Sequence, residues 1–203
     1  MSRRQGRHAG LKWLVVGVTW ALLTSNSHAA GSASSWHFKH VTTLTGEPFA
    51  WKTNEVPSAT AFVFLSTDCP IANSYAPELQ RIQTAYSPHG IQFRAVYCEP
   101  TETSETLRRH QEQYQLTIPS LRDPQQELAR SLQVSRTPEV AIVDSKGNRI
   151  YRGRIDDRHL RLGQSRPEAT THEFRDALEA VLIGRPIPVA ETVAVGCHLP
   201  PLP

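Results

Sequence analysis

The stretch Ala61 to Leu79, AFVFLSTDCPIANSYAPEL, decides how the rest of the chain is read. Its first five residues are uniformly apolar, the pattern of a short strand buried on both faces, and Ser66, Thr67 and Asp68 break the run. Cys69 follows, and then Pro70. Proline suits the first position of a helix, where its missing N–H would have had no partner, so Cys69 is expected at the N-cap of a helix. Unpaired amides and the helix dipole favour negative charge there, which lowers the thiol pKa and raises the thiolate fraction, the nucleophilic form. An ionised Asp68 nearby opposes that effect. A free cysteine is most often a small buried hydrophobe. One at a strand-to-helix turn, followed by proline, points to chemistry instead.

Working outward, Ile71, Tyr75, Leu79, Ile82 and Tyr86 fall at helical spacing and make one apolar face, with a kink expected between Asn73 and the interior Pro77. Ser87 to Gly90 ends that helix, and Ile91 to Tyr97 reads as the next buried strand. Strand, helix and strand so close together predict a parallel unit with a right-handed crossover, and Cys98 lies just past its second strand. Helices are expected over Glu105 to Tyr114 and, more briefly, Gln125 to Leu132. Val140 to Val143 and Arg149 to Ile155 form a hairpin across Asp144 to Asn148, and a last helix carries Phe174, Ala177, Leu178, Val181 and Leu182 before Gly184 and Pro186. Upstream, Trp36 to Trp51 predicts a strand or hairpin turning at Gly46-Glu47-Pro48.

Met1 to Ala30 reads as an address. Arg3, Arg4, Arg7 and Lys12 precede the apolar run Trp13 to Leu23, and Ser27-His28-Ala29 is a small-x-small cleavage signal, so export to the periplasm or beyond is expected. The apolar run is short for a membrane span, and a twin-arginine signal ranks second because Gln5, Gly6 and Arg7 are not apolar. The segment holds four of the 22 Lys and Arg residues and none of the 19 Asp and Glu, so the formal charge of +3 belongs to the whole chain and falls to −1 without it. Neither nucleic acid nor an anionic membrane is indicated as a partner. The remaining chain is one domain over residues 31–186, followed by a tail, 187–203, rich in proline and β-branched residues. Three cysteines are too few for a disulfide scaffold, and a domain this size has no need of one, which favours a redox role.

The order of elements, with Cys69 at the end of a buried strand, Ala76-Pro77 after it and Thr137-Pro138 before a later strand, resembles the thioredoxin-like fold, an α/β architecture with a central mixed sheet flanked by helices. The phrases Thr67 to Asn73, Tyr75 to Glu78, Tyr151 to Asp157 and Ala194 to Cys197 resemble exported bacterial redoxin-domain proteins related to the peroxiredoxin and thiol-specific-antioxidant group. The resemblance implies a cis bond at Thr137-Pro138 facing the reactive cysteine, and a thiol, disulfide or small peroxide as partner. The departures are equally specific. Ala72 stands where a thioredoxin has its second cysteine, which rules out exchange within one CxxC turn. Ser66 and Phe62 stand where peroxiredoxins have a threonine and a proline, and Pro138 replaces an arginine.

A second thiol must therefore come from elsewhere. Cys197, in the tail, is placed first as the resolving thiol for Cys69, with Cys98 as the alternative. Cys69, Cys197, Thr137 and Pro138 are the expected reactive set, and Ser66, Asn73, Tyr75 and Arg154 the candidates for substrate contact. Arg152, Arg154, Asp156 and Asp157 read as a solvated charge ladder unless Arg154 or Asp156 reaches the edge beside Pro138. Glu78 would accept a proton if it lay within hydrogen-bond reach. No cofactor or metal site is expected. The competing class is a copper(I)-binding or partner-binding module resembling Sco-like copper chaperones, with Cys197, His198 and His172 as ligands, but the Cys-x-x-x-Cys pair of such proteins is missing.

Overall fold

The computed structural model describes residues 36–51 and 58–202, and the segment read as an export signal lies outside them. Strands β1 (Trp36–Thr43) and β2 (Pro48–Trp51) form the expected hairpin at one edge. β3 (Ala59–Leu65) is buried along its whole length and leads through Cys69 into α1 (Pro70–Ser74) and α2 (Ala76–Tyr86). The predicted kink is a full break. Tyr75 ends α1 and caps α2, and Pro77 sits in the first turn of α2, where its missing N–H costs nothing.

A 3₁₀ turn over Ser87–His89 leads to β4 (Ile91–Tyr97), which runs parallel to β3. Next come α3 (Ser104–Gln113), β5 (Ser120–Arg122) and α4 (Glu127–Ser131). β5 was not legible in the sequence, because three residues are too few to show a period. β6 (Arg136–Thr137) and β7 (Glu139–Asp144) flank Pro138, β8 (Arg149–Gly153) completes the predicted hairpin, and β9 (His159–Arg161) with β10 (Gln164–Ser165) makes a small unpredicted one. α5 (Glu173–Leu182) and the two-residue β11 (Cys197–His198) finish the chain.

The main sheet has the order β2-β1-β5-β4-β3-β7-β8 and mixes parallel with antiparallel pairs. It is an α/β thioredoxin-like fold. Alternation along β3 divides the core. Ala61, Val63 and Leu65 pack with Leu79, Ile82, Phe174 and Leu178 in one cluster, while Phe62 and Phe64 pack with Val41, Leu128 and Ala129 in the other. The turn that carries Cys69 therefore projects from the centre of a sheet covered on both faces. Among the described residues no helix is long and apolar enough to cross a membrane.

Candidate active site around Cys69

Cys69 is the N-cap of α1, with extended backbone (φ −86°, ψ 106°) and Pro70 in the first turn, as the sequence predicts. Its side chain is only 1 % exposed. The Thr137-Pro138 peptide is cis, and the Cys69 thiol donates to the Thr137 carbonyl at 3.0 Å. β11 pairs antiparallel with β6, placing Cys197 opposite Thr137, so the tail returns along the cis-proline segment and carries its cysteine to Cys69. Gly196 makes that approach feasible, because a Cβ there would lie 2.0 Å from the Thr137 carbonyl oxygen.

The two thiols differ in acidity. Burial pushes Cys69 up, but hydrogen bonds from the Cys197 thiol and from the backbone amides of Ala72 and Cys197 outweigh it and hold Cys69 below the ordinary thiol value. Cys197 goes the other way. Partial burial, then its bond to Cys69 and the charge developing there, push it up to about 11. When the pair loses a proton, Cys69 loses it first, giving up its bond to the Thr137 carbonyl and accepting from the Cys197 S–H.

Cys98 does not join them. It is buried in the opposite core cluster, donates to Asp123 at 3.9 Å, and is pushed well above the ordinary thiol range by burial and by the Asp123 and Glu102 carboxylates. It is a packed thiol. Ser66 stays at the turn, its carbonyl accepting from the Cys69 amide at 3.4 Å, and with Thr137, Cys98 and His198 it lines a cavity of about 210 Å³ under the tail.

The other candidates for substrate contact are engaged within the protein. Asn73 donates to the Thr67 carbonyl (2.8 Å) and accepts from His110 Nε2–H (2.8 Å), and His110 Nδ1 in turn accepts from the Tyr97 hydroxyl (3.0 Å). Burial holds His110 below the ordinary imidazole value, which suits the neutral tautomer this chain requires. The Thr67 hydroxyl donates to the buried Glu102. Residues 67–69 are thus gripped from both sides, and Asn73 positions that turn. Asn73→Ala is expected to cost about 1–3 kcal/mol in urea unfolding, since it strands the Thr67 carbonyl and the His110 N–H.

Tyr75 is buried. Its hydroxyl donates to Asp156, and the Arg158 guanidinium lies 4.2 Å from its ring centre. Arg154 pairs with Glu173 at the start of α5 and with Thr171, so its charge is spent there and not at the edge beside Pro138. Asp156 and Asp157 are both buried rather than solvated, Asp157 being held by Thr170, Thr171 and Arg166. Glu78 is clamped between Arg81 and Arg175. Burial raises its pKa, but the two arginines outweigh that and keep it below the usual carboxylate value, the wrong direction for a proton acceptor at neutral pH. Among the described residues there is no group of three or more His, Cys, Asp or Glu placed to hold a metal ion.

Sequence reasoning missed Glu102, His110 and Tyr97, and it placed Asp156 in a charge ladder or beside Pro138 rather than under the Tyr75 hydroxyl. Each acts through contacts between segments far apart in the chain, and only Gly196, beside Cys197, carried a local signal.

Among curated proteins none matches the chain. Of solved structures, an uncharacterized conserved protein from Geobacillus kaustophilus is similar at 27 % identity and TM-score 0.69, covering 84 % of this chain and 90 % of that one. A hypothetical protein from Sinorhizobium meliloti 1021 is similar at 22 % identity and TM-score 0.68, covering 82 % and 91 %. A secreted Mycobacterium tuberculosis disulfide oxidoreductase aligns at 15 % identity and TM-score 0.47, covering 75 % and 96 %. The family model named Redoxin matches residues 33–169, which span the Cys69 turn, the cis-proline and the hairpin between β7 and β8. With two thirds of its length accounted for in this way, the chain belongs to the Redoxin family.

Proposed function

We propose that the chain is an exported thiol-dependent redox protein in which Cys69 attacks an oxidised substrate and Cys197 resolves the product. The observation that carries this reading is the register of β11 on β6, which brings the Cys197 thiol to Cys69 as a hydrogen-bond donor. With a disulfide substrate, the Cys69 thiolate attacks one sulfur and expels the other as thiolate. Cys197, losing its proton, then attacks the Cys69 sulfur of the mixed disulfide and expels the substrate's remaining thiolate. With a peroxide, Cys69 takes one oxygen to become a sulfenic acid and an alcohol or water leaves. Cys197 then displaces water to give the same Cys69–Cys197 disulfide. A dithiol partner restores the reduced form in either case. Cys98 takes no part. The n-region, apolar run and cleavage signal of Met1 to Ala30 support an oxidising compartment for this chemistry.

Peptide mapping by mass spectrometry under non-reducing conditions tests the reading. A Cys69–Cys197 link that forms on mild oxidation, disappears with reductant and leaves Cys98 free for alkylation is the expected result. Three thiols that stay free after oxidation would remove the two-cysteine cycle.

A further inference from the structure

The tail carrying Cys197 is fastened well before it reaches Cys69. β8 receives it as a parallel neighbour. The Arg152 amide donates to the Ala190 carbonyl and the Thr192 amide to the Arg152 carbonyl, both at 3.0 Å, and the Glu191 carboxylate pairs with Arg152 and, at 3.6 Å, with Arg149. At the centre of this clasp stands the Thr192 hydroxyl. It accepts from the Arg154 amide at 2.9 Å and lies 3.1 Å from the Tyr151 hydroxyl. Tyr151 already donates to the Arg154 carbonyl at 2.7 Å, so the remaining bond runs from the Thr192 hydroxyl to the Tyr151 oxygen. Tyr151 is a firm neighbour, fully buried and stacked on Phe174, and Arg154 is held by Glu173.

The space for this hydroxyl exists only because residue 153 is glycine. A Cβ there would lie 2.0 Å from Thr192 Oγ1 and 2.6 Å from the Thr192 carbonyl oxygen. Gly153 also has φ +149°, a region that residues with side chains rarely enter. The next residue, Val193, is 80 % exposed, and the chain then turns inward, Ala194 being 4 % exposed and Gly196 buried. The clasp on β8 and the pairing of β11 with β6 both hold the tail, and Thr192 in the first lies five residues before Cys197.

We infer that Thr192 is a positioning residue for the Cys69–Cys197 exchange, its hydroxyl seated over Gly153 fixing the tether that sets the local concentration of Cys197 at Cys69. The inference rests on the two-cysteine reading above. Its size follows from tether length. From Thr192 the tether to Cys197 is five residues, whereas from Leu182 at the end of α5 it is fifteen. Local concentration falls roughly as the −3/2 power of tether length, so losing the clasp lowers it about fivefold.

The test is the equilibrium with glutathione, in which the protein disulfide plus two glutathione thiols gives the protein dithiol plus glutathione disulfide. Full-length wild type, Thr192→Val and Thr192→Ser are equilibrated across glutathione ratios, acid-quenched, alkylated and weighed. Valine keeps the volume but strands the Arg154 amide, while serine keeps the hydroxyl. Thr192→Val removes the hydroxyl but leaves the Glu191 pairs and the two backbone bonds, so about fivefold is its upper bound: its disulfide is expected to be between about two- and fivefold easier to reduce than wild type, with Thr192→Ser within about twofold. Thermal unfolding of the reduced proteins, run alongside, reports any change in stability separately. An equilibrium constant for Thr192→Val within twofold of wild type overturns the inference, whatever its melting temperature. If wild type forms no Cys69–Cys197 disulfide at any ratio, the two-cysteine reading fails, and not the role of Thr192 within it.

Discussion

Replacing Gly196 with valine is expected to uncover Cys69. The glycine lies against backbone on one side, since a Cβ would meet the Thr137 oxygen at 2.0 Å, the Thr137 carbonyl carbon at 2.6 Å and the Pro138 nitrogen at 3.0 Å. None of these atoms ends a flexible side chain, and the Thr137 carbonyl is itself held by the Cys69 thiol. The strand that yields is β11, which has only two residues and is seated by the Leu199 amide on the Ser135 carbonyl and by Gln126 on the Pro200 carbonyl. Two effects on Cys69 then oppose each other. Lifting the tail opens a buried sulfur to reagents, but it also removes the Cys197 donor and so lowers the thiolate fraction at neutral pH. Running the reaction at about pH 10 reduces the second effect, because an ordinary thiol is by then mostly thiolate. Iodoacetamide labelling of Cys69, followed by peptide mapping, should be at least about tenfold faster in Gly196→Val than in wild type, equivalent to about 1.4 kcal/mol of opening free energy. Equal rates would mean that the tail is not what covers Cys69.

This dependence on a distant strand marks what the sequence can and cannot reveal. The turn around Cys69 was legible because its signals are local: an apolar run, polar breakers, and a proline that fits only the start of a helix. The hairpin from β7 to β8 was legible for the same reason, its turn residues standing between two apolar runs. The cis bond at Thr137-Pro138 came from resemblance alone, since a Thr-Pro pair carries no mark of its isomer. Tyr75 and Arg154 show the limit most clearly. Each has the chemistry of a substrate contact, yet Tyr75 donates to Asp156 and Arg154 pairs with Glu173, partners 81 and 19 residues away that no periodicity connects. Cys98 follows the same lesson. The parallel crossover placed it just past the end of a strand but left open which core cluster it entered, and Asp123 with the α4 cluster settled that.

The acidity of Cys69 is expected to depend on what residue 197 donates. In the folded protein burial raises the Cys69 pKa, and the Cys197 thiol is the foremost of the groups that bring it down. Cys197→Ala removes that donor and leaves the burial, so the thiolate should appear at higher pH than in wild type. Cys197→Ser keeps an O–H in the same place and should move the titration much less. A hydrogen bond to a charged acceptor contributes about 1.5–3 kcal/mol, which corresponds to a ten- to hundredfold loss of thiolate near neutral pH for the alanine variant. The sign is fixed by the direction of the Cys69 shift. Its pKa lies below the ordinary thiol value, so reactivity present at neutral pH in wild type is reached in Cys197→Ala only as pH rises further. The measurement is the pH profile of Cys69 labelling in each variant, read by peptide mapping so that Cys98, whose pKa lies well above the ordinary range, does not contribute. A profile in Cys197→Ala that matches wild type would show that the helix-start amides alone set the thiolate, and Cys197 would then keep its resolving role but lose its part in activating Cys69. An upward shift in alanine that serine reverses would assign both roles to one residue, first as donor to the nucleophile and then as its successor in the disulfide.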